Sequence, residues 1–400
     1  MKLRVRLDGN SCIRYLFEFA WIYPTLVTTV IDTLMRVLGL SEYSNIARCV
    51  VVFYVIIFCS RGLLSKLTSK HLLLYALAVV LYFLFAWIYP QTAGLMLDNA
   101  IDVLIFTIPV FFLGISMTDV KLNIGRITLY SRIIILLMSF VFFFMSDINA
   151  HEGHMGRAYL VLPSVMLVVY QAFREKKIHD ILIGILGCFF LVACTTRGPV
   201  LLLLIFVLVI AFVNKIRFLQ VVLLLAVIIM SSSSFRTLLI NAGIMIFNKF
   251  GLNTRIFDML ALGEVTSDNG RNYLEEVVWE MLHEHPISGN GVFSDRIATS
   301  ALQWIGEDGV YAHNILLECW CQYGYIIGSI LLIGLLVVCI YSLFHEQGDK
   351  RTILCILILS YIGKLFMSSS YLLEPYFFLT VGMCGSSFSR RQKKVGIWHI

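Results

Sequence analysis

Residues 324–344 read GYIIGSILLIGLLVVCIYSLF and contain no charged side chain. At about 1.5 Å rise per residue, a helix of this length crosses the roughly 30 Å hydrocarbon core of a bilayer. Similar apolar runs recur along the chain of 400 residues, of which 59% are hydrophobic and only 14% charged. Hydrocarbon offers a backbone amide no partner, so such runs must satisfy their hydrogen bonds internally as helices. The fold class is therefore all-α: a polytopic integral membrane protein with about 12 transmembrane helices and one long outward loop carrying short amphipathic helices. The spans centre near residues 23, 53, 81, 110, 138, 166, 186, 206, 225, 335, 360 and 380, and the first is the weakest, carrying Glu18 and ending at Asp32.

The basic residues orient this array. With Lys2, Arg4 and Arg6 placed in the cytoplasm, the inner loops also take Arg61, Lys66 and Lys70; Lys121, Arg126 and Arg132; Arg174, Lys176 and Lys177; Lys215 and Arg217; Lys350 and Arg351; and the tail from Arg390 to Lys394. That is most of the 31 lysines and arginines, the positive-inside pattern of a protein with both termini cytoplasmic. The domain plan is spans one to nine over 1–232, a large periplasmic loop over 233–312, spans ten to twelve over 313–388 and a basic cytoplasmic tail over 389–400. The formal charge of +6 is spent on topology, and no basic-aromatic patch suggests nucleic acid. The ten cysteines sit in or beside spans, with none in the long loop, which argues against a disulfide framework. No cleavable leader pattern precedes the first span.

Residues 311–323, just ahead of the quoted run, read YAHNILLECWCQY. His313 can exchange a proton near neutral pH, and Asn314 can cap the helix that follows; equally, both could be an ordinary polar helix entry. Further back, 267–291 (SDNGRNYLEEVVWEMLHEHPISGNG) reads as one helix. Ser267, Asp268 and Asn269 cap it, Leu274, Val277, Val278, Met281 and Leu282 form its apolar face, Pro286 stops it, and Gly289 and Gly291 make the following turn. Arg271 stands in its first turn, where a cation opposes the helix dipole unless an anion binds there; pairing with Glu275 is the plainer alternative. Arg197, in the tight outer turn TTRGP (195–199), also precedes a helix N-terminus suited to anions, or snorkels to headgroups. His151, Glu152 and His154 form a weak ligand set, so no metal is assigned, and Arg157 beside them is a further anion contact. Lys364 falls within a span and calls for a partner.

Together, TTRGP in an outer turn, a long loop with NGR (269–271) and HPISGNG (285–291), and HNILLECWCQYGYIIG (313–328) resemble the O-antigen polymerase and O-antigen ligase superfamily over about residues 190–345. The resemblance implies a metal-independent glycosyltransferase, without cofactor, acting at the periplasmic face of the bacterial inner membrane on an undecaprenyl-pyrophosphate-linked glycan. It implies Arg197 and Arg271 as holders of the donor pyrophosphate and His313 as the base for the acceptor hydroxyl. Asn314, Arg157, Gly289 and Gly291 are the accompanying substrate-binding positions. The expected partners are the lipid-linked glycan, the bilayer and a chain-length regulator protein, with no nucleic acid. Ligases of the family usually place Gly, Thr or Tyr three residues after the motif glycine; here that position is Ile327, and glycine arrives at Gly328. That tilts the reading toward a polymerase of repeat units over a ligase to lipid A-core. A transporter is the reading from another class, but no second copy of any motif suggests repeated halves.

Overall fold

The computed structural model describes residues 9–64, 68–144, 154–194, 196–213, 220, 233–249, 254, 257–258, 261, 271–300, 302 and 310–395. All the regular structure among them is helical, as the apolar periodicity requires. Among the described residues, six helices are long and apolar enough to cross a membrane: Ser41–Cys59, Ser69–Ile88, Asp102–Asp119, Ile124–Phe143, Gly156–Glu175 and Ile315–His345. The shorter apolar helices Ile178–Ala193 and Arg197–Val213 fall on two further expected spans. The span expected near 225 lies outside the described residues. Near 23 and 360 the helices loosen into wider turns at Tyr23–Val27 and Ile358–Ile362. The former contains Pro24, whose ring removes a backbone donor. Ser69–Ile88 exposes Leu73 at 70% and Trp87 at 77%, apolar exposure on a scale that suits acyl chains rather than water.

The chain forms two compact units, and the long loop is divided between them. The first comprises 1–17, 50–122 and 268–400. In it the helix from Pro375 packs along Ile108–Ser116 through facing glycines. A Cβ on Gly382 would stand 2.2 Å from the Phe111 carbonyl oxygen, and one on Gly114 would stand 2.4 Å from that of Leu379. Such close backbone approach is how helices associate where lipid supplies no hydrophobic drive. Lys364, expected to need a partner, pairs with Glu374. It sits in the short Gly363–Leu365 segment just before the chain turns, so its charge lies at a helix end.

The second unit comprises 18–49 and 123–267. Its core is the packing of Ile124–Phe144, His154–Glu175 and Ile178–Ala193, with Ile134, Leu162, Met166 and Phe190 fully buried. Gly187 lets the third helix approach Val165, to which an added Cβ would come within 2.9 Å. Asp180, fully buried, accepts two hydrogen bonds from Arg132, at 2.6 and 3.0 Å. This fork-shaped pairing satisfies both charges within the helix bundle.

Candidate active site

The helix that contains the opening run is broken at Gly324, where φ is 76° and ψ 169°. Ile315–Tyr323 is thus a separate short helix, and the charge-free stretch begins only after the break. The two arms touch: the Trp320 indole donates to Ser329 Oγ at 3.0 Å, and a Cβ on Gly328 would meet the Cys319 carbonyl oxygen at 2.8 Å. The displaced glycine of the motif is therefore placed by the kink. Into the break docks the turn after the loop helix. Asn290 N and Gly291 N donate to the carbonyls of Cys321 and Gln322 at 2.9 and 3.1 Å, and Tyr325 N donates to Pro286 O at 2.8 Å. Gly289 and Gly324 lie back to back. Added Cβ atoms would fall 2.4 Å from Gln322 O and 2.2 Å from Ile287 O respectively, so both positions are taken up by packing.

The loop helix is described over Arg271–Glu284 and ends just ahead of Pro286, where the sequence stops it. Pro286 explains the stop, since it can neither donate to the preceding turn nor clear its carbonyl. The expected caps Ser267, Asp268 and Asn269 lie outside the described residues. The apolar face is as the periodicity requires: Leu274, Val278 and Leu282 are buried, and the latter two pack with Ala298, Ala312, Leu317 and Cys321.

A buried polar network lies beneath this surface. Asp295 accepts from Gln322 Nε2 at 3.2 Å and from the Ala312 backbone N–H at 3.1 Å. Gln322 also donates to Glu318 at 3.4 Å, Ser370 Oγ donates to the same Glu318 oxygen, and Tyr371 donates to Gln322 Oε1 at 2.7 Å. Tyr323 reaches the Tyr371 hydroxyl at 2.7 Å. Each member supports the next, which rigidifies such networks when they are fully satisfied. Burial pushes the Asp295 carboxyl above its ordinary range. A second anchor holds the same segment, because Thr299 Oγ1 accepts from Val310 N–H at 2.9 Å and donates to Val310 O at 2.6 Å.

That anchored segment ends in His313. Its φ is 55°, a left-handed conformation that is uncommon for a residue with a Cβ. Phe293 and Ser369, flanking the same network, are also left-handed, with φ of 66° and 84°. Strain of this kind costs about 1–3 kcal/mol per residue and gathers at functional sites. The His313 ring lies against Tyr311, with ring centroids 4.3 Å apart. Its Nδ1 is buried and has no hydrogen-bond partner among the described residues. Burial, and then the positive charge of Arg271, push the imidazole down to about 4. At neutral pH it is therefore uncharged, with a lone pair available. Asn314 caps the short helix, its Oδ1 accepting from Leu316 N–H at 3.1 Å. Arg271 stands at the first described position of its own helix, and its positive charge acts on the His313 imidazole.

His313, Arg271, Asn314, Gly289 and Gly291 thus fall in one unit. An apolar groove of 530 Å³ runs beside them, lined by Ile315, Tyr323, Leu331, Tyr371, Leu372 and Phe377 among others. Arg197 and Arg157 belong to the second unit. Arg197 opens the helix Arg197–Val213, and Arg157, near the start of His154–Glu175, lines a polar cavity. His151 and Glu152 lie outside the described residues. Sequence reasoning missed Asp295, Glu318, Gln322 and Ser370. The available signal was two acids, Asp295 in the short helix Ser294–Ser300 and Glu318 as the one charge in Ile315–Tyr323, but their convergence depends on the kink.

Residues 182–333 match the family described as O-antigen ligase. No curated protein and no solved structure matches the chain.

Proposed function

We propose, from the match of residues 182–333 to the O-antigen ligase family, that the chain is a glycosyl-transferring membrane enzyme of the O-antigen polymerase and ligase superfamily and that it polymerises lipid-linked oligosaccharide repeat units. The donor would be an undecaprenyl-pyrophosphate-linked glycan, the product an O-antigen or related surface polysaccharide, and the working face periplasmic. The observation that carries the reading is His313: uncharged, strained, with a buried nitrogen that has no partner among the described residues, and within the field of Arg271.

In this reading His313 takes the proton from an acceptor sugar hydroxyl as its oxygen attacks the donor's anomeric carbon. The bond from that carbon to the phosphate oxygen breaks, and the lipid pyrophosphate leaves with the electron pair. Arg271 and the free amides of its helix N-terminus stabilise the charge that develops on the leaving group, preorganised as such stabilisation must be. A base within hydrogen-bond reach contributes about 10²–10⁴-fold. The bound pyrophosphate would offset the Arg271 charge and raise the basicity of His313, making the base stronger in the complex than in the free protein. The donor is already activated, so no nucleotide, cofactor or metal is invoked. The apolar groove lined by Ile315, Tyr371 and Phe377 suits the polyprenyl chain. Arg197, matched to the family's other arginine, is proposed as a second required cation, and Asn314 as a substrate contact.

Purified protein supplied only with lipid-linked repeat units tests the reading. A ladder of lengthening chains supports polymerisation. Product only when lipid A-core is added would identify a ligase instead, the reading that the position of Ile327 disfavours.

A further inference from the structure

In the second unit, a cavity of 480 Å³ is lined by Arg36, Arg48 and Arg157 together with one carboxylate, Asp32. Three arginines against one acid leave a formal charge of about +2 on its walls. Arg48 is held in place by Asp32, to which its Nε donates at 3.1 Å, and by Asn45 at 3.2 Å. Thr33, Ser41 and Ser44 add hydroxyl groups to the wall, while Pro24, Met138, Val141 and Leu160 supply an apolar side.

The positive-inside pattern makes this convergence informative. Outside the long loop, the basic residues that the topology assigns to the outer side are Arg36, Arg48, Arg157 and Arg197. Three of these four come from separate helices to line one cavity. An arginine that merely snorkels points its head into open interface, whereas Arg48 and Arg157 are half-buried and line the same cavity as the exposed Arg36. All three are arginines rather than lysines, and planar guanidinium forks match the paired oxygens of a phosphate.

We propose that this cavity binds a phosphate ester, with the phosphate held by Arg36, Arg48 and Arg157 and the organic part against Met138, Val141 and Leu160. The phosphate could be carried by a lipid headgroup or by a soluble ester, and the chemistry of recognition is the same. The cavity is built from residues of the second unit alone, and the proposal does not rest on the polymerase reading.

The test is the melting temperature of the full-length protein in phosphatidylcholine nanodiscs. It is measured with phosphatidic acid, with diacylglycerol as the phosphate-free control, and with glycerol 3-phosphate as the soluble ester. A ligand that binds the folded state raises the melting temperature. Phosphatidic acid or glycerol 3-phosphate should raise it and diacylglycerol should not, and which of the two esters acts identifies the source. R36Q should weaken binding roughly tenfold or more, as loss of a charged hydrogen-bond partner does, and R36Q/R157Q should abolish the shift. The Arg48–Asp32 pair is left intact in both variants, and R36Q replaces an exposed side chain, so it serves if the double variant fails to fold. No shift with either ester, a shift with diacylglycerol equal to that with phosphatidic acid, or an undiminished shift in R36Q would overturn the proposal.

Discussion

His313 and Asp295 show how single side chains carry the site. If His313 is the base, its titration should govern activity. The acidic limb of kcat/KM should fall near pH 4, where burial and Arg271 place the free imidazole, and not near the ordinary histidine value of about 6.5. The limb of kcat should lie higher, because bound pyrophosphate offsets the Arg271 charge. His313→Ala should lower chain growth by about 10²–10⁴-fold with the protein still folded in the membrane, as judged by polymer ladders and melting. The same depressed titration has a stability consequence: its contribution is present above about pH 6.5 and is lost as pH falls toward 4. Asp295 runs the opposite way, since a raised carboxyl stabilises less as pH rises through its folded value. Asp295→Ala should cost about 1–3 kcal/mol for each buried donor left unpaired, here the Ala312 amide and the Gln322 side chain. Asp295→Asn, which keeps one acceptor, should cost less by thermal melting. His313 and Asn314 were legible as candidates because a titratable residue and a cap stand together at a helix entry. Asp295 was not, because nothing local to it says that it holds the backbone beside His313.

Helices and turns are where the glycines separate. Gly324 and Gly289 have positive φ and face carbonyl oxygens at contact, so Gly324→Ala and Gly289→Ala should each destabilise by more than the roughly 1 kcal/mol of an ordinary helix substitution and disturb the docking of 285–291. Gly334, in the same long apolar helix, has open space around it. Gly334→Ala should leave the melting temperature within a degree or two of the parent, a contrast that separates a kink from a generic loss of flexibility. In the second unit, Asp180→Asn should cost about 3–5 kcal/mol by stranding the largely buried Arg132. The loop helix was readable from its period and from Pro286. The break at Gly324 was not, because glycines are common in membrane helices and only the docked turn reveals which one changes the direction of the chain.

For the whole molecule, the sidedness expected from Lys and Arg can be checked with reporter fusions. Alkaline phosphatase fused after Ser288 should be active, and green fluorescent protein fused after Gln347 should fluoresce; the reverse pair of results would invert the topology. What the linear order of residues decided is the class of molecule. Apolar run length and charge asymmetry respond to the bilayer as a solvent, and that response needs no knowledge of which helix touches which. Glycines within backbone contact, a carboxylate reaching an amide 17 positions along the chain, and three arginines lining one cavity were decided only in three dimensions. Each depends on where helices bend and cross, and those angles are set by side-chain packing and close backbone approach between segments far apart in sequence.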